Sequence, residues 1–298
     1  MTLEKLSSKF TMKVDYCLIL AAGFGTRMGP IGKKIPKLLW PLFNKVLLEY
    51  QIQYAKEYFG VQKIFCNTHY LAEEFKAYSH LDLEFLHEPE ILDVGGGIHN
   101  LATQVGYKGS LLVISGDQFY FGDSDSLEKS LEIFQNNGNL LYGIEIAPNS
   151  AYNRLQLDSQ NGLSGIVPPS SDAPSLTYSG VSLFNLAQLE RSKGASKFFD
   201  TVAPFKQRRI SVFNQFQRTE YFDFGTLERY LESAWELYSI IEDSKPCMAY
   251  DFFNKTLDHQ SLSEIVENVR KDQRLEFGDL LISSDRVELN RPDQSHKL

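Results

Sequence analysis

The first 117 residues alternate between two periodicities. Residues 14–20 (VDYCLIL) form a short, almost unbroken apolar run, as in a strand buried on both faces. Leu47, Leu48, Ile52, Tyr54, Ala55, Tyr58 and Phe59 then recur at helical spacing, and Gly60 predicts the stop of that helix. The order continues with VQKIFCN as a second strand, LAEEFKAY as a second helix and LDLEFLH as a third strand. GGGIHNLATQVG reads as a turn into a helix, and SLLVISGD as a fourth, buried strand. Such alternation predicts an α/β domain built on a parallel sheet.

From residue 139 the pattern changes. NLLYGIEIA, YNRLQLD, GLSGIV and LTYSGVSLF are strand-like runs, with Asn161-Gly162 as a turn signal and residues 168–175 (PPSSDAPS) as a loop. They predict an antiparallel continuation of the same sheet, so the expected sheet is mixed and mainly parallel. TEYFDFG is one more strand and TLERYLESAWELYSII a helix after it. Beyond about residue 241 the amphipathic SLSEIVENV, with Ser261 and Glu264 as a capping box, predicts a helical extension. The expected organisation is an N-terminal extension over 1–13, one main domain over 14–240 and the C-terminal helical extension over 241–298.

Composition narrows the class. A chain of 298 residues, 43% of them apolar, buries a sizeable core without a disulfide or metal staple. The net charge of -8 lacks the global basic footprint of a nucleic-acid binder, though a local basic pocket can still hold an anion. Cys17, Cys66 and Cys247 are scattered and odd in number, unlike a disulfide framework, and no Cys-x-x-Cys pair argues for zinc. Cys17 and Cys66 fall in apolar strands and read as core residues. The opening MTLEKLSSKFTMK is too polar for a signal peptide, and no run approaches the ~20 apolar residues of a membrane span. The expectation is a cytoplasmic protein with no membrane partner.

The chemistry concentrates where the first strand breaks, in LILAAGFGTRMGPIGKKIPK. Gly23 and Gly25 allow a tight turn or a nest of backbone N–H groups for phosphate oxygens. Arg27 adds a planar fork suited to phosphate, and Lys37, after Pro36, adds a point charge. Lys33 and Lys34 read as solvated surface charges. The third glycine of a dinucleotide fingerprint is missing, as is the Gly-Lys-Ser/Thr ending of a P-loop. Two carboxylates close later strands: Asp117 after VISG and Asp223 in YFDFGT. Each reads alone first as a turn or helix-cap aspartate, and only second as a hard oxygen ligand. Asn67 and His69, just after the second strand, read as structural.

LAAGFGTRM followed by Pro30, Pro36-Lys37 and Leu39 resembles the signature of the sugar-phosphate nucleotidylyltransferases, LAAGxGTRMxP…PKxL. The similarity runs over roughly residues 14–240. It implies a Rossmann-like, GT-A-type fold and a cytoplasmic, Mg²⁺-dependent enzyme of nucleotide-sugar and cell-envelope synthesis. Such an enzyme joins a sugar 1-phosphate to a nucleoside triphosphate and releases pyrophosphate. By the same resemblance Leu20, Ala21, Ala22, Gly23, Gly25 and Thr26 bind the nucleotide, with Gly95, Gly96 and Gly97 as a surface for base or sugar. Arg27, Lys37 and Asp117 are the catalytic candidates, and Asp117 with Asp223 the metal ligands. Glu145, Tyr178 and Gly180 are substrate-pocket candidates from matching strands, Tyr178 serving equally well as a core residue.

The glycine triplet and LTYSGVSLF look closest to the N-acetylmuramate 1-phosphate uridylyltransferase and mannose or heptose 1-phosphate guanylyltransferase branches. Where many relatives carry Glu-Lys-Pro, with a lysine that meets the sugar phosphate, this chain reads Ile166-Val167-Pro168-Pro169. Two further readings stand beside this one: a phosphocholine cytidylyltransferase, and a non-catalytic nucleotide-sugar sensor using the segment after 241.

Overall fold

The computed structural model describes residues 13–148, 150–169, 173–257, 274–277, 280–283 and 287–289. Its centre is a seven-stranded sheet. The strands, in chain order, are β1 (Tyr16–Leu20), β2 (Lys63–Thr68), β3 (Glu84–His87), β4 (Ser110–Ser115), then, after an intervening strand β5 (Gln118–Gly122), β6 (Asn139–Ile146). Next come a two-stranded hairpin, β7 (Arg154–Leu157) with β8 (Leu163–Val167), and the sheet strands β9 (Ser175–Asn185) and β10 (Ser211–Phe213). Spatial order is β10-β6-β9-β4-β1-β2-β3. Six strands share one direction; β9 runs antiparallel to both β4 and β6. The sheet is therefore mixed and mainly parallel.

This order creates a switch point. From β1 the chain moves outward through β2 and β3, then returns to lay β4 on the other flank of β1. The loops after β1 and β4 diverge at the carboxyl ends of neighbouring strands, where open α/β sheets form a crevice. The small pair of β5 with β11 (Thr219–Asp223) sets Asp223 opposite Gln118, one residue from Asp117.

Strand alternation sends side chains to two apolar layers. Cys17, Ile19, Cys66, Leu112 and Ile114 face one; Leu18, Phe65, Leu111 and Val113 face the other. The first layer is closed by α1 (Leu47–Phe59), α3 (Ser124–Asn137), α4 (Leu227–Glu242) and α5 (Met248–Thr256). The second takes α2 (Asp93–Gln104) through Ile98, Leu101 and Ala102. Gly60 ends α1 in the left-handed region, at φ 59°, as its position predicts.

Several elements differ from the sequence pattern. LAEEFKAY forms a 3-10 helix, Ala72–Tyr78, because Phe75 alone is buried and little packing rewards a longer α-helix. β5, α3 and β10 were not anticipated. α3 is nonetheless marked by chemistry: the Asp123 carboxylate accepts from Ser126 N at 2.9 Å, and Leu127, Leu131 and Phe134 bury one face. The segment expected as a helical extension contains α5, but Arg274–Phe277, Leu280–Ser283 and Val287–Leu289 form a three-stranded antiparallel sheet. Alternation in Arg-Leu-Glu-Phe and the Gly278-Asp279 dipeptide are the sequence signals for that hairpin. Ser261 and Glu264, like residues 1–12, lie outside the described residues. Among the described residues no helix is long and apolar enough to cross a membrane.

The cysteines supply a test of this packing. Cys17 and Cys66 are fully buried, and burial pushes both thiols well above their ordinary range. Cys247 is half-buried. A native-state titration with a charged thiol reagent is expected to modify one thiol, and all three after denaturation. Rapid reaction of all three in the native protein would refute the buried strand pair.

Candidate active site

The glycine loop leaves β1 at Leu20. Gly25 adopts φ 62°, and a Cβ there would stand 3.2 Å from the Gly32 carbonyl oxygen, so the turn is glycine's by both sterics and space. Met28 N donates to Gly25 O at 2.9 Å, and buried Met28 anchors the short 3-10 turn that carries exposed Thr26 and Arg27. Lys33 and Lys34 are exposed, in keeping with surface charges. Lys37 opens another 3-10 turn, held by buried Leu38 and Leu39, and its ammonium pairs with Asp117 Oδ2. Gly116 brings the two loops together: a Cβ there would meet Leu38 at 2.7 Å and Leu20 O at 2.9 Å.

Asp223 ends β11 and is buried, while Phe224 N donates to Asp117 O at 2.8 Å. A Cβ at position 225 would lie 2.8 Å from Asp223 Oδ1, 3.0 Å from Asp117 Oδ2 and 3.8 Å from Arg27 Nη2. Both carboxylates and Arg27 thus surround one point, with the two oxygens within about 6 Å of each other. Asp223 Oδ1 accepts from Gly225 N at 2.7 Å; Oδ2 accepts from Arg229 Nη1 at 2.8 Å and from the Tyr152 hydroxyl. Among the described residues no three His, Cys, Asp or Glu side chains cluster as a metal cage.

A cavity of about 270 Å³ opens beside this pair. One wall is the loop itself, Leu20 to Gly23, Gly25, Arg27 and Lys37; Ser115 and Asp117 close one end. Asn67, Glu88, Ile91, Asp93 and Val94 form the facing wall. Phe24, Ile91 and Val94, the exposed large apolar residues among those described, all belong to this loop and wall. An apolar rim above convergent polar groups suits a flat ring joined to an anion.

The facing wall is built on a buried carboxylate that the sequence did not disclose. Glu88 is 1% exposed. Its Oε1 accepts from Asn67 Nδ2 at 2.8 Å and its Oε2 from Leu92 N at 3.2 Å. Asn67 Oδ1 in turn accepts from Ala21 N at 2.8 Å. One chain of bonds therefore ties the start of the glycine loop to the start of α2. His69 Nδ1 meets the Glu88 carbonyl at 2.8 Å, a structural role.

Other candidates fall elsewhere. Gly95, Gly96 and Gly97 are buried rather than spread as an open surface. A Cβ at 95 would meet Ser196 O at 2.6 Å, and at 97 it would meet Asn67 Nδ2 and Glu88 Oε1 at 2.9 Å each. The triplet lets the segment at 194–197 and the Asn67–Glu88 pair pack against α2. Tyr178 stacks on Phe198 with centroids 5.5 Å apart, and its hydroxyl meets Ser182 Oγ at 2.8 Å, which favours its core reading. Gly180, at φ 84°, packs against Ser115 of the cavity wall. Glu145 is exposed on β6 opposite Leu176. Tyr152 and Arg229 were missed; Arg229 lies three residues after Thr226, the N-cap of α4.

A family model described as "MobA-like NTP transferase domain" matches residues 17–203. A bifunctional sugar-1-phosphate nucleotidylyltransferase/acetyltransferase from Sulfurisphaera tokodaii is 31% identical over 53% of this chain and 37% of its own length. D-glycero-alpha-D-manno-heptose 1-phosphate guanylyltransferase from Campylobacter jejuni is 31% identical over 37% of this chain and 51% of its own. The chain thus spans about half or less of these relatives. The crystal structure of HddC from Yersinia pseudotuberculosis complexed with GMP-PN superposes with a TM-score of 0.61, at 22% identity, over 75% of this chain and 99% of that one. That likeness shows the fold alone, a Rossmann-like architecture with a mixed, mainly parallel sheet.

Proposed function

The chain belongs to the MobA-like NTP transferase domain family, and on that footing we propose that it is a sugar-1-phosphate nucleotidylyltransferase. The observation that carries this reading is the convergence of Arg27, Lys37, Asp117 and Asp223 from four separate segments, the first three lining the cavity and Asp223 beside Asp117 and Arg27.

The nucleoside triphosphate would lie along the glycine loop, its base against the apolar rim and its phosphates toward Arg27 and Lys37. An oxygen of the sugar 1-phosphate attacks the α-phosphorus; the α–β bridging bond breaks and pyrophosphate leaves with the electron pair. The nucleophile is already ionised near neutral pH, since the second pKa of a phosphate monoester is about 6. No general base is therefore required. Positioning and charge neutralisation supply the rate, as in other phosphoryl transfers. Asp117 and Asp223 fit a hard divalent cation, because Mg²⁺ binds through one or two carboxylates and leaves its other positions to phosphate oxygens and water. When bound, it would neutralise charge developing on the phosphates.

Within the family we favour guanylyl transfer to a mannose- or heptose-type sugar over uridylyl transfer to N-acetylmuramate. Asp93 sets an exposed carboxylate on the wall, which suits the paired N–H donors on the edge of guanine better than the carbonyl-flanked edge of uracil. The Campylobacter jejuni relative is named for that chemistry. The test is pyrophosphate release with Mg²⁺ over a grid of GTP, UTP, CTP, ATP and dTTP against mannose, heptose and N-acetylmuramate 1-phosphates and phosphocholine. Turnover confined to GTP with one sugar 1-phosphate is expected. Nucleotide binding without turnover anywhere would favour a sensor, and turnover with phosphocholine alone would favour the cytidylyltransferase reading.

A further inference from the structure

The reaction above leaves one cation at the site without a role. Arg229, in the first turn of α4, sends Nη1 to Asp223 Oδ2 at 2.8 Å and to the Tyr152 hydroxyl at 2.7 Å. Its guanidinium lies 4.5 Å from the centre of the Tyr152 ring. Its side chain keeps 28% exposure, against 9% for that of Asp223. Arg229 is thus fixed through Nη1 by a carboxylate and by aromatic packing, yet more than a quarter of its side chain faces solvent.

Geometry separates it from the other cations. Arg27 stands on the Oδ1 side of Asp223, near Asp117, and Lys37 is paired with Asp117 itself. Arg229 stands at Oδ2. An in-line displacement needs charge neutralised on both sides of the α-phosphorus: under the leaving pyrophosphate and at the entering phosphate. The glycine loop, Arg27 and Lys37 serve the first.

We propose that Arg229, braced by Tyr152, is the cation that receives the phosphate of the acceptor sugar 1-phosphate; this rests on the nucleotidyltransferase reading. Tyr152 acts as the brace through two hydrogen bonds of its hydroxyl. It donates to Asp223 and accepts from Arg229, so it keeps the guanidinium aimed while some of its N–H groups turn to phosphate.

Calorimetry on the full chain without divalent metal tests this with two probes. Inorganic pyrophosphate reports the loop side; mannose 1-phosphate, titrated into protein saturated with pyrophosphate, reports the acceptor side. Arg229→Gln is expected to weaken mannose 1-phosphate at least tenfold and pyrophosphate less than twofold, with partial recovery in Arg229→Lys. In turnover the same variant should raise the KM for the sugar phosphate and leave that for the nucleotide. Equal weakening of both probes would reduce Arg229 to a brace for Asp223 and overturn the proposal. So would wild-type protein that binds pyrophosphate but not mannose 1-phosphate. Failure of wild type to bind pyrophosphate would sink the nucleotidyltransferase reading itself.

Discussion

Asp117→Asn is expected to lower pyrophosphate release on the order of 10³-fold while unfolding within about 1 kcal/mol of wild type. The substitution keeps shape and one acceptor oxygen but turns the other into an N–H donor and removes one negative charge from the carboxylate pair. In the free protein the loss is small: the Asp117 side chain is partly exposed, 14%, and its Lys37 partner can turn to water. In the reacting complex the same charge would hold Mg²⁺ against the phosphates and set the orientation of Lys37. An interaction made mainly in the transition state appears in kcat rather than KM. The expected pattern is therefore a collapsed kcat, a nucleotide KM within a few-fold of wild type and an unchanged denaturation midpoint. Turnover within tenfold of wild type would remove Asp117 from the catalytic pair.

Asp117 stood out in the sequence through the resemblance of its Gly-Asp pair, since alone it reads as a turn or cap aspartate. A carboxylate after a buried strand and a small residue meets the glycine loop through the topology alone, once β1 and β4 are neighbours. Arg27, Lys37 and the loop glycines were legible for the same reason. The alternation of periods likewise exposed β1, α1, β2 and β4. What stayed hidden depends on contacts between distant segments. Glu88 reads in HEPE like any surface glutamate, and only the packing of α2 against β2 encloses it. Tyr152 and Arg229, on a loop and a helix far apart in sequence, meet through Asp223. For the glycine triplet the sequence could not show the packing against 194–197, because close backbone approach to a ligand and close packing of the chain on itself demand the same residue.

Asn67→Leu is expected to destabilise the fold by about 3–5 kcal/mol and to raise the nucleotide KM on the order of tenfold. Leucine preserves volume, so the effect isolates the amide. Asn67 is 3% exposed and has two partners on the cavity wall, Ala21 N and Glu88 Oε1. Removing it leaves an N–H at the root of the glycine loop unpaired. It also leaves a carboxylate buried with its Leu92 N–H bond but without its amide donor. A buried charge stripped of a partner is costlier than a neutral group, which sets the upper part of the range. The kinetic effect follows from position. Ala21 and Glu88 line the cavity proposed for the nucleotide, whereas Lys37 and Asp117 are held by separate turns, so binding should suffer more than kcat. Asn67→Asp should be at least as harmful, because it sets a second carboxylate at hydrogen-bond distance from Glu88. Urea unfolding and nucleotide-dependent initial rates measure both quantities. A loss of stability under 1 kcal/mol would mean that the loop and α2 are held together by packing, with the Ala21–Asn67–Glu88 chain incidental to the site.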